Sequence, residues 1–395
     1  MTSARSSMTV LVVLGLRGCG WVPNTEIKPP DYPASLPTSA EDQTTLAMPG
    51  NPTDDFYPAR LQVWEDRQQR KQAARTSLHE EDLVWTSTPQ DARVALLVSP
   101  ETGFDTWGIE TSVAEIPPDW HTGRHSHGEE AIYVISGQGF VAVDGVRYDI
   151  YPGSTVGVPY GGEHQLFNTG SDTLRYFSAT AYPLERYLGL YRLEQFEERG
   201  PSTTIPQLPV SKDGYDENKR RIRLLWEEAL YRDGSIGLRA WLEARIRGGV
   251  DLWQRNPGDE PGARNQAAHL ASGIGHHSAW VRLMGSSGQM DFPNRLALIS
   301  GFLIEDPGAQ SGRHSHMEAI IYVLGGHGYS VVDGEKVPWG PGTSLHVQGP
   351  QTQHQHFNTG NEAAFMLRIA SGLRPYIQRS VEEVFPFLWF EAKGE

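Results

Sequence analysis

Three histidines recur twice in this chain at nearly constant spacing. His125 and His127 flank one serine, and His164 follows 37 residues after His127; His314 and His316 repeat the pair, with His354 38 residues after His316. Alternate residues of an extended chain point to one face, so each His-Ser-His pair presents two imidazoles together if it lies on a strand. A third imidazole from across a cavity completes a nitrogen site for one divalent cation, with positions left open for exogenous ligands. A single His-x-His is more often a hydrogen-bonded pair or a solvated edge; recurrence of the whole trio is what favours metal. The chain has one cysteine, Cys19, which excludes a cysteine-based zinc site and an intrachain disulfide. Metal chemistry here must therefore use nitrogen and oxygen donors.

Acid–base groups are sought beside the trios. His356 shares the parity of His354 and could face the same cavity as an acid–base partner; the matching residue of the first copy is Leu166. A residue bonded to backbone at the rim is the competing reading. His327 and His346 are also present only in the second copy, opposite Gln138 and Gly157, and this asymmetry places polar chemistry in the second copy. Glu129 and Glu318 match one another, and strict alternation turns both inward if no bulge intervenes. Glu130, in contrast, is matched by Ala319. Arg124, Arg313, Gln165 and Gln355 alternate away from the trios.

The elements that must position these groups are written in the same duplication. Gly123–Gly145 aligns without gaps on Gly312–Gly334 at an offset of 189, and Pro152-Gly153 on Pro341-Gly342; the offset becomes 190 for His164–Gly170 against His354–Gly360. The β-branched and aromatic runs 131–135 and 320–324 read as strands, and Asp144-Gly145 and Asp333-Gly334 as hairpin turns. Short strands at close spacing with no helix between them predict two antiparallel β-barrels, over about 92–182 and 281–372. The remainder is expected to comprise an extended arm (1–56), a helical lead-in (57–91), a helical inter-domain segment (183–280) and a C-terminal packing segment (373–395). The inter-domain helices rest on Ile222, Leu225, Trp226, Ala229 and Leu230, and on Leu238, Trp241 and Leu242. The apolar run Phe385–Phe390 is expected to pack on another subunit or on the first barrel.

With 34 Lys+Arg against 48 Asp+Glu the chain carries a formal charge of −14, and an acidic surface repels nucleic acid. The N-terminal run Thr9–Leu16 after Arg5 is too short to span a bilayer. It is expected to be a dispensable extension of a cytoplasmic protein, with export as the weaker alternative.

These motifs resemble the cupin superfamily, whose first motif is a Gly, His-x-His, a Glu and a Gly, and whose second is Pro-x-Gly followed by a His and often an Asn. The chain is similar to a bicupin, which implies an all-β fold of two tandem cupin (double-stranded β-helix, or jelly-roll) barrels with helical N-terminal and inter-domain segments. The resemblance implies His125, His127 and His164 as ligands of one metal and His314, His316 and His354 as ligands of a second, the metal being Fe, Mn, Ni, Cu or Zn. With Ala319 where the first copy has Glu130, the second site is similar to those of gentisate, salicylate and 1-hydroxy-2-naphthoate dioxygenases, where three histidines hold Fe(II). The expectation is an Fe(II)-dependent dioxygenase that cleaves the ring of a hydroxylated aromatic acid or phenol with O2, assembled as a homo-oligomer. The rivals are a Mn-dependent decarboxylase or oxidase of a small carboxylate, and a non-catalytic metal-binding cupin.

Overall fold

The computed structural model describes residues 56–211, 215–216, 219–220, 222–224, 278–282, 292–304, 307–385 and 388–389. Phe56–Ala73 is a helix, and both barrels belong to one unit, Asp66–Glu395. Each copy folds into two facing antiparallel sheets. In the first, one sheet runs Ile222–Leu224, Ser154–Val158, Glu130–Ser136, Leu174–Thr180, Glu110–Ile116 and Arg93–Leu96. The facing sheet joins Glu194–Glu197, Arg124–Ser126, His164–Asn168 and Trp120–His121, with the hairpin Gly139–Val143 and Val146–Ile150 attached to His164–Asn168. The second copy repeats the plan, with Ser344–Val347, Ala319–Gly325, Ala364–Ser371 and Ala297–Ile304 against Gly328–Val332, Thr352–Asn358 and His314–His316.

Local chemistry explains the repeated geometry. Asp144 (φ 49°) and Gly145 (φ 79°), like Asp333 (φ 48°) and Gly334 (φ 88°), both lie in the left-handed region, the backbone of a two-residue turn whose twist matches its flanking strands. Asn168 donates from Nδ2 to Ile116 O and Asp172 O and accepts from Gly170 N, and Asn358 does the same with Ile304, Glu362 and Gly360. The Phe-Asn-Thr-Gly part of the second motif is therefore a turn staple. Phe167 stacks on Phe140 at 4.4 Å and Phe357 on Tyr329 at 4.7 Å, outside the barrels.

Among the described residues three apolar clusters result. Ile132, Val134, Val141, Leu166 and Tyr176 fill the first barrel; Ile321, Val323, Met366 and Trp339 fill the second. Between them the alternate residues of the same strands, among them Tyr133, Phe177 and Ala179 against Tyr322, Leu367 and Ile369, form a shared core. Phe177 meets Tyr322 at 4.9 Å. The central strands are thus buried on both faces, which is why they read as unbroken apolar runs.

Two expectations are corrected. Ile222–Leu224 is a strand paired with Val156–Ser154, not the start of a helix: an open sheet edge offers backbone partners that outweigh a 3.6-residue pattern. The remaining residues on which the inter-domain helices rest lie outside the described residues. The segment after the first barrel is likewise not simply helical, since the short helix Tyr182–Tyr187 leads into the strands Glu194–Glu197 and Gly200–Pro201. Of the C-terminal run, expected on another subunit or on the first barrel, the described pair Leu388–Trp389 instead adds to the second barrel's own sheet, with Trp389 opposite His314; packing on another subunit stays an expectation. Glu194–Glu197 does the same in the first barrel, with Gln195 opposite His125. The repeat therefore continues past each barrel through a helix, Tyr182–Tyr187 or Arg374–Ser380, to a strand beside the His-Ser-His strand.

Candidate metal centres

Strand pairing brings each trio together. His164 lies opposite His125 and His354 opposite His314, while His316 ends the strand of His314 and His127 lies one residue past the end of Arg124–Ser126. In each trio one nitrogen per ring lies within 4.8 Å of the others. The ring centroids are 4.2–5.2 Å apart in the first barrel and 4.2–5.0 Å in the second.

The second nitrogen of every ring decides what the first can do. Nδ1 of His125, His127 and His164 lies 2.9 Å from the carbonyl oxygens of Gly123, Gly128 and Gly162. Nδ1 of His314, His316 and His354 faces those of Gly312 (2.8 Å), Met317 (2.5 Å) and Thr352 (3.1 Å). A carbonyl can only accept, so Nδ1 is the N–H in all six rings, and each neutral ring turns the Nε2 lone pair toward the trio's centre. Burial, then the charges of His164 and His127, brings His125 down to about 3. Burial leads in lowering His127, His316 and His354 as well. His164 is the exception: burial opposes its charge, but Glu130 raises it. Converging imidazole nitrogens suit a divalent transition metal, and both trios fit one.

The two centres differ in their fourth group. Glu130 begins the strand behind the first trio, and its Oε2 lies 3.1 Å from His164 Nε2 and 3.6 Å from His127 Nε2. Among the described residues His164 Nε2 nonetheless has no hydrogen-bond partner of correct geometry, as expected of two ligand atoms aimed at a common point rather than at each other. Burial opposes its charge, yet His164 and His127 hold Glu130 down at about 2. Ser178 donates to its other oxygen. In the second barrel Ala319 replaces Glu130, and Arg368 stands in register where Ser178 does, opposite Ile321 as Ser178 is opposite Ile132.

Glu129 and Glu318 do not face the trios. The chain bends at Gly128 and at Met317, so alternation slips by one residue and both carboxylates leave their barrels. Glu129 accepts from the backbone N–H groups of Arg295, Leu296 and Ala297 at 2.6–3.3 Å. Glu318 accepts from those of Trp107 and Gly108 at 3.1 and 3.0 Å and from His346 Nε2 at 2.9 Å. Each barrel thus anchors the segment that leads into the other. This also accounts for His346, which lies between the barrels against Phe104.

His356 is buried inside the second barrel, 5.5 Å from the His354 ring. Its Nδ1 lies 2.7 Å from Ser330 Oγ, which also accepts from Trp339 Nε1 at 3.1 Å. Burial, then the charge of His354, brings it to about 3. Arg124 and Gln165 line an outer cleft of about 520 Å³, where Arg124 pairs with Glu163 at 2.7 Å and with Glu197 at 3.7 Å.

A pair absent from the sequence reading lies in the first barrel. Tyr176 donates to Asp91 Oδ1 at 2.6 Å. Burial carries Asp91 up to about 6 against that hydrogen bond, with Glu130 adding to the rise. Asp91 arrives from a loop outside the repeated segment, so neither spacing nor the second copy could flag it. Arg368 was equally hidden: the strand that carries it is apolar on both faces.

The cupin domain family matches residues 112–180 and 301–370. The 5-aminosalicylate 1,2-dioxygenase of Comamonas sp is 32% identical over 122 residues, which are 30% of this chain and 32% of that protein. The chain thus matches about a third of the length of this curated relative. A crystal structure of salicylate 1,2-dioxygenase from Pseudoaminobacter salicylatoxidans with gentisate is similar at a TM-score of 0.55 and 12% identity, covering 90% of this chain and 98% of that one. Another structure of a salicylate 1,2-dioxygenase, from Pseudaminobacter salicylatoxidans, gives 0.51 at 11% identity over 80% and 81% of the two chains. At such identities the likeness speaks for the fold. Among the described residues, no helix is long and apolar enough to cross a membrane.

Proposed function

We propose that this chain, which carries two cupin domains, is an Fe(II)-dependent dioxygenase that opens the ring of a hydroxylated aromatic acid or related phenol in its second barrel. The observation that carries the reading is the second trio itself: three converging Nε2 atoms with Ala319 where the first barrel has a carboxylate. His314, His316 and His354 would hold the ion, leaving room for a chelating substrate and for O2. Iron held there supplies electron transfer between an electron-rich ring and dioxygen. The protein fixes the three nitrogens through their carbonyl bonds, and the same barrel is filled by apolar side chains, among them Ile321, Val323 and Met366, which keep bulk water out.

His356 is the proton-handling candidate. Ser330 Oγ accepts from the Trp339 indole, so its own hydrogen is free to go to His356 Nδ1. The neutral ring then carries its hydrogen on Nε2, the form in which an imidazole acts as a proton donor. The substrate class follows the relatives, whose names join 5-aminosalicylate, salicylate and gentisate, all hydroxybenzoates. A homo-oligomer is expected, and light scattering would measure it.

Glu130 favours a second reading for the first barrel. Three imidazoles and a carboxylate suit Mn and the decarboxylation or oxidation of a small carboxylate. Metal analysis of protein purified without oxygen, followed by oxygen uptake on a hydroxybenzoate panel, tests both. Iron with oxygen consumption is expected, abolished in His314→Ala; His125→Ala should chiefly lower metal content and stability. Manganese with carbon dioxide release would transfer the function to the second reading, and bound metal without turnover would leave a non-catalytic cupin.

A further inference from the structure

The exchange of carboxylates between the barrels begins beside the metal trios themselves. Nδ1 of His127 is held by the carbonyl of Gly128, and Nδ1 of His316 by the carbonyl of Met317. The next residue in each copy is the carboxylate that leaves for the other barrel, so one peptide unit joins an imidazole to an inter-barrel anchor. Glu129 holds the N–H groups that open the strand Ala297–Ile304. Glu318 holds those of Trp107 and Gly108, just ahead of Glu110–Ile116.

The two anchors also meet. Ala297 pairs with Ser371, and Ser371 lies close against Gly108: a Cβ on Gly108 would come within 3.0 Å of the serine Cβ and 2.9 Å of Glu318 Oε2. Contacts therefore run unbroken from Glu129 through Ala297, Ser371 and Gly108 to Glu318, and every residue on that path is buried. A close-packed path transmits a shift instead of absorbing it. A metal ion that orders one trio orders the peptide behind it, and less ordering is left for the ion that follows at the other trio. The unequal surroundings set the sequence. Glu130 gives the first trio an anionic group 3.1 Å from His164 Nε2, which strengthens its hold on a cation, and the second trio has Ala319 at that position.

We propose that the first centre is a regulatory metal site: it fills first and, with Glu129 and Glu318 as positioning residues, raises the affinity of the second trio for its ion. The inference rests on both trios binding metal and adds that they do so in order. At saturating metal the coupling is silent, so it governs how the second centre is loaded and leaves turnover of the loaded protein alone.

The test is calorimetric titration of metal-free, full-length protein with Zn(II), which requires neither iron nor turnover. The wild type should bind in two unequal steps. His125→Ala, which dismantles the first trio, should lose the tighter step and bind the remaining ion roughly 10-fold more weakly than the wild type binds its second. Glu129→Gln keeps all the imidazoles and Glu130; it should leave the first step unchanged and weaken the second by the same factor. Gly108→Ala, outside both trios, should do likewise and serves should the glutamine variant not fold. A purely structural role for Glu129 would weaken both steps alike. That result, an unchanged remaining step in His125→Ala, or loss of the weaker step there would overturn the coupling and leave two independent metal centres. A single step in the wild type would remove the two-metal reading as well, so the two failures are told apart by stoichiometry.

Discussion

The two barrels share a frame and differ in charge. Both hold three imidazoles on equivalent strands, each oriented by a backbone carbonyl, and both staple the last turn with an asparagine. Around the first trio stand Glu130, Ser178 and the Asp91–Tyr176 pair; the second barrel has Ala319 and Arg368 at the strand positions of Glu130 and Ser178, and the His356–Ser330–Trp339 chain beside its trio. The comparison teaches that ligand geometry and chamber chemistry can diverge independently. The imidazoles are fixed by strand pairing and main-chain atoms, which side-chain changes leave alone. The fourth position is fixed by single side chains, which can change in pairs.

The comparison breaks most sharply if the fourth position is exchanged. Ala319→Glu should lower oxygen uptake by on the order of 100-fold, whereas Glu130→Ala should lower metal retention in the first barrel and leave uptake in place; an oxygen electrode and metal analysis read both. The opposite pattern would move the reaction to the first barrel. Next in size are the exchanged carboxylates. Glu129→Ala and Glu318→Ala each strand buried N–H groups, and each should cost about 3–5 kcal/mol in denaturant unfolding. If only one does, the anchoring is not reciprocal.

The Asp91–Tyr176 pair predicts a smaller, pH-dependent effect confined to the first barrel. Asp91 is raised from an ordinary 3.8 to about 6, so its contribution to stability is fully present below pH 4 and is lost as pH rises through 6. Relative to Asp91→Asn, the wild type should lose about 3 kcal/mol over that interval, seen as a change in the difference between their urea midpoints. Smallest is Ser330→Ala in the second barrel, which removes the hydrogen bonds with His356 and Trp339 and should cost about 2 kcal/mol while slowing turnover more than it weakens substrate binding. A purely structural serine would leave the ratio of kcat to KM tracking stability alone.

Much of this was legible in the chain. The duplication, the two trios, the Asp-Gly turns and the β class depend on local rules: side-chain alternation, positive φ at Asp-Gly, and β-branched runs. Gln165 and Arg124 were placed outward by the same alternation. What failed did so where alternation is interrupted or where distant backbone competes. The bends at Gly128 and Met317 sent Glu129 and Glu318 out of their barrels. The edge at Ser154–Val158 drew Ile222–Leu224 into a strand, and the His314 strand drew in Leu388–Trp389.

The chain's own order of residues determined that six imidazoles would form two trios on twin sheets, because strand periodicity and a repeated register are short-range properties. Only the tertiary structure decided which groups join them. Glu130, Asp91 and Arg368 reach their places through a bend, a loop from outside the repeat and a strand buried on both faces. In each case the side a residue faces is set by packing against another element, and no spacing along the chain encodes it.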